Sequence, residues 1–440
     1  MKRIACLGVT CLALLAGNAQ KIAFTEYDLP NGLHVILHQD KTAPVVAVSV
    51  MYHVGSKDED TARTGFAHFF EHLLFEGTKN IKRGEWDKLV SSRGGRSNAN
   101  TTQDRTYYHV VYPSNQLEMG LWMESERMMH PVINEVGVET QNEVVKEEKR
   151  MRIDNQPYGA LISNVFNALF QNHPYRWAVI GSMEHLDAAT LPEFQSFFKK
   201  YYMPNNAVLT IAGDIDIDKT KQLVQAYFGE IPAGTKPVRN FPTEAPITKQ
   251  LVDSVYDANV QIPALVVTYR TPGLATRDAK VLDMLGTLLS GGSSSRLTKK
   301  MMDKKQNAIQ VGAFPYSLED HGLYILFAIP NNNASLTDLQ KDIDEEITRV
   351  QNELIPEAEF QKLQAQIETR IVNNNTSMEE VANNLADAYL FYKNTNSINE
   401  QLAAYRSITR EELRAAAQKY LKPNARHLLY YLPKTGEKSF

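Results

Sequence analysis

Five stretches of the chain carry the apolar patterning of strands: Leu33 to Leu37, Val45 to Tyr52, Arg105 to Tyr112, Ala264 to Tyr269 and Gly322 to Ile329. Five others repeat apolar residues at helical spacing: Leu117 to Met129, Val138 to Met151, Tyr158 to Phe170, Leu336 to Leu354 and Met378 to Phe391. Strands come in runs broken by long helices rather than in strict β-α-β alternation. That order predicts an α+β protein of antiparallel-rich sheets packed with helices.

The pattern also repeats. Thr190, Glu193, Lys200, Tyr201, Pro204 and Asn205 reappear as Thr409, Glu412, Lys419, Tyr420, Pro423 and Asn424, all displaced by 219 positions (409 minus 190). Phe194 and Leu413 add a near-identity in the same register. In each copy Thr stands three before Glu, the capping-box signature of a helix start, and Pro-Asn closes the helix before an apolar strand. The copied strands run from Ala207 to Ala212 and from His427 to Leu432. The chain therefore reads as two homologous α/β sandwich domains produced by tandem duplication. The proline-bearing stretch from Ile231 to Pro246 reads as a linker, giving domains at 20–232 and 248–440 with 233–247 between them.

Composition bounds the possibilities without choosing among them. The 440 residues are 43% hydrophobic and 22% charged, enough for two full cores. A formal charge of -4 makes no electrostatic case for nucleic acid. Lys2-Arg3, the apolar run from Ile4 to Leu15 and the small residues ending at Ala19 predict a secretory signal over 1–19. The run is too short for a permanent membrane anchor. Both cysteines, Cys6 and Cys11, fall inside it, so the exported chain, periplasmic or secreted, would hold together without disulfides.

Candidate chemistry concentrates in His68-Phe69-Phe70-Glu71-His72. Two histidines four apart on a helix share a face and can converge on one cation, with Glu71 between them to hold a water. His-x-x-Glu-His reverses the commoner His-Glu-x-x-His of zinc hydrolases. Three ionisable groups on so apolar a helix are costly unless paired or bound to metal. A catalytic zinc usually takes three protein ligands, and the helix from Glu139 to Met151 offers the third. Spacings of four and three place Glu148 on the face of Val144, Val145 and Met151, while Glu147 turns toward Glu143 and Arg150. No register recovers a histidine in the second copy, where Leu282, Leu285 and Gly286 stand opposite His68, Glu71 and His72.

The pentad, a glutamate 76 positions on (148 minus 72) in Val-Val-Lys-Glu-Glu, and Tyr-x-x-Pro-Asn leading to Leu-Thr-Ile-Ala-Gly-Asp214 together resemble the pitrilysin/insulinase family of zinc peptidases. The resemblance is to the bacterial short-chain type and to mitochondrial processing peptidase subunits. It implies that one chain forms half of a clam-shell around a closed chamber. It further implies one zinc per chain on His68, His72 and Glu148, with Glu71 as the base that activates water for endopeptidase chemistry on short or unfolded peptides. Asn98, Ala99 and Thr101 resemble the family's peptide-binding edge strand.

Two departures qualify the resemblance. Active members built from a single type of chain usually carry an Arg and a Tyr in the second half that hold the substrate carbonyl; Arg296 supplies the first, but Ile309 stands where Tyr is expected. Ile309 cannot donate a hydrogen bond. The simplest repair is a related partner chain supplying Arg and Tyr, so a heterodimer is expected over a homodimer. Gln141, seven before Glu148, occupies the place of a supporting glutamate and would add no negative charge near the metal. The competing reading is a noncatalytic structural or partner subunit of a processing-peptidase-like assembly, since the same fold serves both roles.

Overall fold

A computed structural model describes residues 21–331 and 334–434. Its strands are β1 (Thr25–Asp28), β2 (His34–Gln39), β3 (Val45–Tyr52), β4 (Arg96–Thr101), β5 (Thr106–Pro113), β6 (Ala207–Gly213), β7 (Leu251–Asp257), β8 (Ala264–Pro272), β9 (Ala308–Ser317), β10 (His321–Pro330) and β11 (His427–Pro433). They form two sheets, ordered β1-β2-β6-β3-β5-β4 and β7-β11-β8-β10-β9. From β2 and from β7 onward the two have the same succession, one parallel pair followed by three antiparallel pairs. The first sheet adds only β1 at its edge.

The repeated sequence blocks occupy equivalent places. Helices Leu191–Tyr201 and Arg410–Tyr420 each start with a Thr-Glu capping box, Thr190 with Glu193 and Thr409 with Glu412. Each is followed by a single turn starting at proline, Pro204–Asn206 or Pro423–Ala425, and then by a strand central to its sheet, β6 or β11. The two sheet-plus-helix domains thus share one fold, as the 219-residue offset requires.

Both faces of each sheet are apolar, so each needs two helical layers. The first sheet buries one face against the helices of its own half, with Phe66, Phe70, Leu121, Phe194 and Val224 in that core. Its other face, including Ile36, Ala47, Met51 and Val208, is covered by Val381, Leu385 and Ala386 of helix Met378–Tyr392 from the second half. The second sheet repeats the exchange: one face packs on Leu285, Ile343 and Leu413. Its other face, with Val266, Leu323 and Leu429, receives Val165, Phe166 and Leu169 of helix Leu161–Leu169 from the first half. Each half completes the other's core.

Helix ends differ from the sequence reading where local chemistry intervenes. The segment from Tyr158 does not begin a helix at that residue, because Tyr158 has φ of 60°, outside the helical region; the helix starts at Leu161. The helix expected from Val138 starts earlier, at Glu135, because Asn134 caps it by accepting from Gly137 N at 2.9 Å. The segment over 1–19, with both cysteines, lies outside the described residues. No described helix is long and apolar enough to cross a membrane.

Leu385 is fully buried at the shared layer, so Leu385→Ala should destabilise the protein by about 2–5 kcal/mol. Because that layer joins the halves, denaturant titration should show one transition moving to lower denaturant; two separate transitions, with only one displaced, would contradict the mutual core.

Candidate metal centre

The helix Phe66–Leu73 that carries the pentad is fixed on every side but one. At its start the buried Glu59 carboxyl accepts from Gly65 N and Ala67 N, both at 2.9 Å, which gives otherwise unpaired donors their acceptors. The chain enters through Gly65 at φ +99°, and an added Cβ on Gly181 would stand 2.3 Å from the Gly65 backbone, so this crossing demands glycine. Phe66, Phe69 and Phe70 pack on Phe194, Phe197, Phe198 and Tyr202, with ring centroids 4.6–6.3 Å apart.

Past the last turn, Arg127 donates to the Leu74 carbonyl at 3.3 Å. Its guanidinium pairs with buried Glu124 and lies 4.0–4.4 Å from the ring centres of Phe75, Trp86 and Tyr108. The Tyr108 hydroxyl donates to the Phe70 carbonyl at 2.7 Å. What remains free of this scaffold is the face bearing His68 and His72.

That face meets the last turn of helix Glu135–Lys149. Glu148 Oε2 lies 3.0 Å from His72 Nε2 and 3.5 Å from His68 Nε2, and one ligand atom from each residue falls within 4.8 Å of the others. Among the described residues no other three His, Cys, Asp or Glu side chains converge in this way. Burial, reinforced by the charge of His72, pushes the His68 imidazole down to about 4, so its nitrogen lone pair stays available. The hydrogen bond from His72 holds the Glu148 carboxyl below its usual range, helped by the neighbouring His68 and Arg152. Arg152 holds Glu148 Oε1 at 2.7 Å, leaving Oε2 for the histidines. Two imidazoles and one carboxylate form the donor set that suits a divalent zinc ion.

Glu71 stands beside this group, and burial raises its carboxyl against the opposing pull of a hydrogen bond from Thr101, whose hydroxyl donates at 2.6 Å. Thr101 belongs to β4, the edge strand of the first sheet. Ala99, two residues back, shares its face and is buried, while Asn98 is exposed on the opposite face.

Other sequence expectations are placed differently. Glu148 does turn inward, but of the three apolar neighbours only Val145 is buried; Val144 and Met151 are exposed, because the helix end lies along the rim of the site. Gln141 donates to Glu76 at 2.5 Å rather than to a ligand, and Glu76 is in turn paired with Arg83. Arg296 makes a two-pronged pair with Glu359, at 3.0 and 2.7 Å, and is not brought to the His68 group. Ile309 lies exposed on edge strand β9. Sequence reading missed Arg152 as a partner of Glu148, although an opposite charge four residues on was a visible signal. It missed the cap from Glu59 entirely.

The second half shows why the site occurs once. Its helix Arg277–Ser290 packs on β9 as the pentad helix packs on β4. Leu282 and Leu285 are buried there, and a Cβ on Gly286 would sit 3.0 Å from the Ala313 carbonyl of β9. Helix and strand close directly on one another.

Comparison with known proteins identifies the family to which this fold belongs. A model described as "Insulinase (Peptidase family M16)" matches residues 34–182, and one described as "Peptidase M16 inactive domain" matches 188–367. The chain is 30% identical over 415 residues to "Zinc protease PqqE" of Helicobacter pylori, covering 92% of each protein. The crystal structure of a protease from Helicobacter pylori superposes with a TM-score of 0.87 at 30% identity, over 93% of this chain and all of that one. The periplasmic protease PqqL from Escherichia coli superposes with a TM-score of 0.77 at 18% identity, over 93% of this chain but 47% of PqqL. With two successive segments matched by models of one family, and identity of 30% sustained along nearly the whole length, this chain belongs to the M16 insulinase family of peptidases.

Proposed function

We propose that the protein is a zinc-dependent endopeptidase acting on short or unfolded peptides. The observation that carries the reading is the convergence of His68, His72 and Glu148 beside a Glu71 carboxylate that Thr101 holds in place. Two histidines and one carboxylate would hold one zinc ion, leaving a coordination position for substrate or water. When bound, the zinc supplies Lewis acidity toward the scissile carbonyl and makes a water more acidic. Glu71 takes the water's proton and delivers it to the departing amine. Its raised proton affinity suits both halves of that transfer, and the Thr101 hydroxyl keeps the carboxylate aimed while the proton moves.

Edge strand β4 supports peptide recognition through backbone. One side of β4 pairs with β5, and the other carries no strand partner among the described residues. An extended peptide added there would be recognised largely through its main chain, with Thr101 setting its distance from Glu71.

A partner chain completes this reading. Ile309 cannot stabilise a developing oxyanion, and Arg296 is already engaged by Glu359. The chain spans about half of PqqL, whose own first half it matches over 94% of its length, so a related second unit is a natural complement. We infer a heterodimer, exported by the signal over 1–19, in which 20–232 is the catalytic domain, 233–247 a linker and 248–440 a homologous domain without metal. The stretch 232–248 carries neither helix nor strand, which supports that division.

Glu71→Gln should lower peptide hydrolysis by about 10²–10⁴-fold while circular dichroism and zinc content stay as in the parent; unchanged turnover would remove Glu71 from the chemistry. Thr101→Val should reduce kcat about tenfold through loss of one hydrogen bond to a carboxylate. An equal kcat would show that Thr101 does not position Glu71. Co-expression with a related chain bearing the Arg and Tyr should raise activity about a hundredfold over the isolated chain; full activity from the isolated chain, monomeric or homodimeric by light scattering, would contradict the heterodimer.

A further inference from the structure

Glu148 stands in the last turn of its helix, where the hold of the first half on that helix runs out. Earlier residues are fastened to the first half: Val145 is buried, Gln141 meets Glu76, and Lys146 meets Asp187 at 2.6 Å. Beyond them Glu147, Arg150, Met151 and Arg152 are exposed. The helix then widens into a π turn over Arg150–Asp154, in which Asn155 N donates to the Arg150 carbonyl, five residues back, at 2.9 Å. This turn carries the Arg152 that holds Glu148 Oε1. Single π turns are rare and occur frequently at functional sites.

What fixes that turn comes from the second half. Asn259 Nδ2 donates to the Asp154 carbonyl at 2.8 Å, and the Tyr158 hydroxyl donates to the Ile262 carbonyl. Asn259 and Ile262 both lie between β7 and β8, in a turn held by Asn259 N on Asp257 Oδ1 at 2.8 Å and by Val260, which is buried in the outer core of the second sheet. The Tyr158 ring also packs on Tyr431 of β11, with ring centroids 5.4 Å apart. Tyr158 has φ of 60°, a region costly for a residue with a Cβ, and such a conformation persists only where the surroundings impose it. Next to it, a Cβ on Gly159 would stand 2.1 Å from the Ile153 carbonyl oxygen, so the loop closes directly onto the π turn. Ile153 itself packs on the first core. The stretch from Arg150 to Gly159 is thus pinned to both halves.

We propose that Tyr158 and Asn259 are positioning residues for the metal ligand Glu148, acting through the π turn, so that the second half sets how firmly the first half holds its ion. The inference rests on the metal reading of His68, His72 and Glu148. The two histidines share one rigidly mounted helix, but the carboxylate comes from the end of another, and its approach has to be fixed separately. A carboxylate free to swing or draw back must be ordered when a metal captures it, whereas one already fixed by folding binds without that cost. The tether also accounts for how a helix end with Val144 and Met151 exposed can carry an ordered ligand: it is fastened beyond the ligand rather than buried around it.

The test is calorimetric titration of the metal-stripped full chain with zinc, alongside amide hydrogen exchange over the π turn of the same metal-free protein. Tyr158→Phe combined with Asn259→Ala should weaken zinc binding about tenfold and speed exchange across the turn. Tyr158→Phe alone keeps the ring on Tyr431 and should weaken binding about threefold, and it serves where the double change fails to fold. Tyr430→Phe is the control: it removes a hydroxyl bond to Gln340 elsewhere in the second half and should leave zinc affinity within about twofold of the parent. A merely structural role would lower the thermal midpoint of these variants without moving zinc affinity. Parental affinity in both Tyr158 variants, or an equal loss in the Tyr430→Phe control, would overturn the tether while zinc binding by the parent keeps the metal reading. A parent that binds no zinc would overturn both.

Discussion

The approach of Glu148 to His68 and His72 is the contact on which the rest of the first half depends. Three ionisable groups are brought to the boundary of an aromatic core, where each alone would be costly. The cost falls because the groups face one another and because Arg152 neutralises the outer carboxylate oxygen. Holding two separate helices in that relation requires a rigid mount. Glu59 at one end of the pentad helix, Arg127 past the other end and the phenylalanines beneath it provide one. The Arg127–Glu124 pair is itself fully buried, so the mount is polar where the backbone needs donors and apolar elsewhere.

The edge strand ties this centre to the second half. Thr101 reaches Glu71 from β4, and the turn after β4 carries Asp104, which accepts from Lys57 at 2.9 Å. Lys57 also holds Glu319 and Asp320, from the turn between β9 and β10, at 2.7 and 2.9 Å. Equivalent hairpin turns of the two halves are thus joined through one buried ammonium. Together with the exchanged helices, this makes the second half a structural support of the half that holds the candidate site.

Much of this was legible in sequence, for identifiable reasons. The central strands β3, β5, β6, β8 and β10 are apolar on both faces and stand out as runs, and the helices Leu117–Met129 and Met378–Tyr392 have clear periodicity. The duplication was visible because Thr-Glu caps and Pro-Asn turns are set by local chemistry and survive in both copies. Edge strand β4, by contrast, reads Arg-Ser-Asn-Ala-Asn-Thr, which no alternation rule marks as a strand; only its likeness to a known edge strand pointed to it. The exchange of helices between halves left no local signal, since an apolar helix face does not say which sheet it will cover. Glu148 was found by its spacing from His72 and its side of the helix, although two of the neighbours that suggested an inward face proved exposed. Gln141 and Arg296 were assigned by position alone, and their partners in space, Glu76 and Glu359, were not foreseeable from spacing.

Calorimetric zinc titration of the metal-stripped chain addresses the central claim most directly. The account predicts one equivalent bound by the parent, affinity lowered at least about tenfold by Glu148→Gln, and little change from Glu71→Gln, which removes the base but no ligand. Absence of stoichiometric binding, or a Glu148→Gln protein that binds zinc as tightly as the parent, would contradict it.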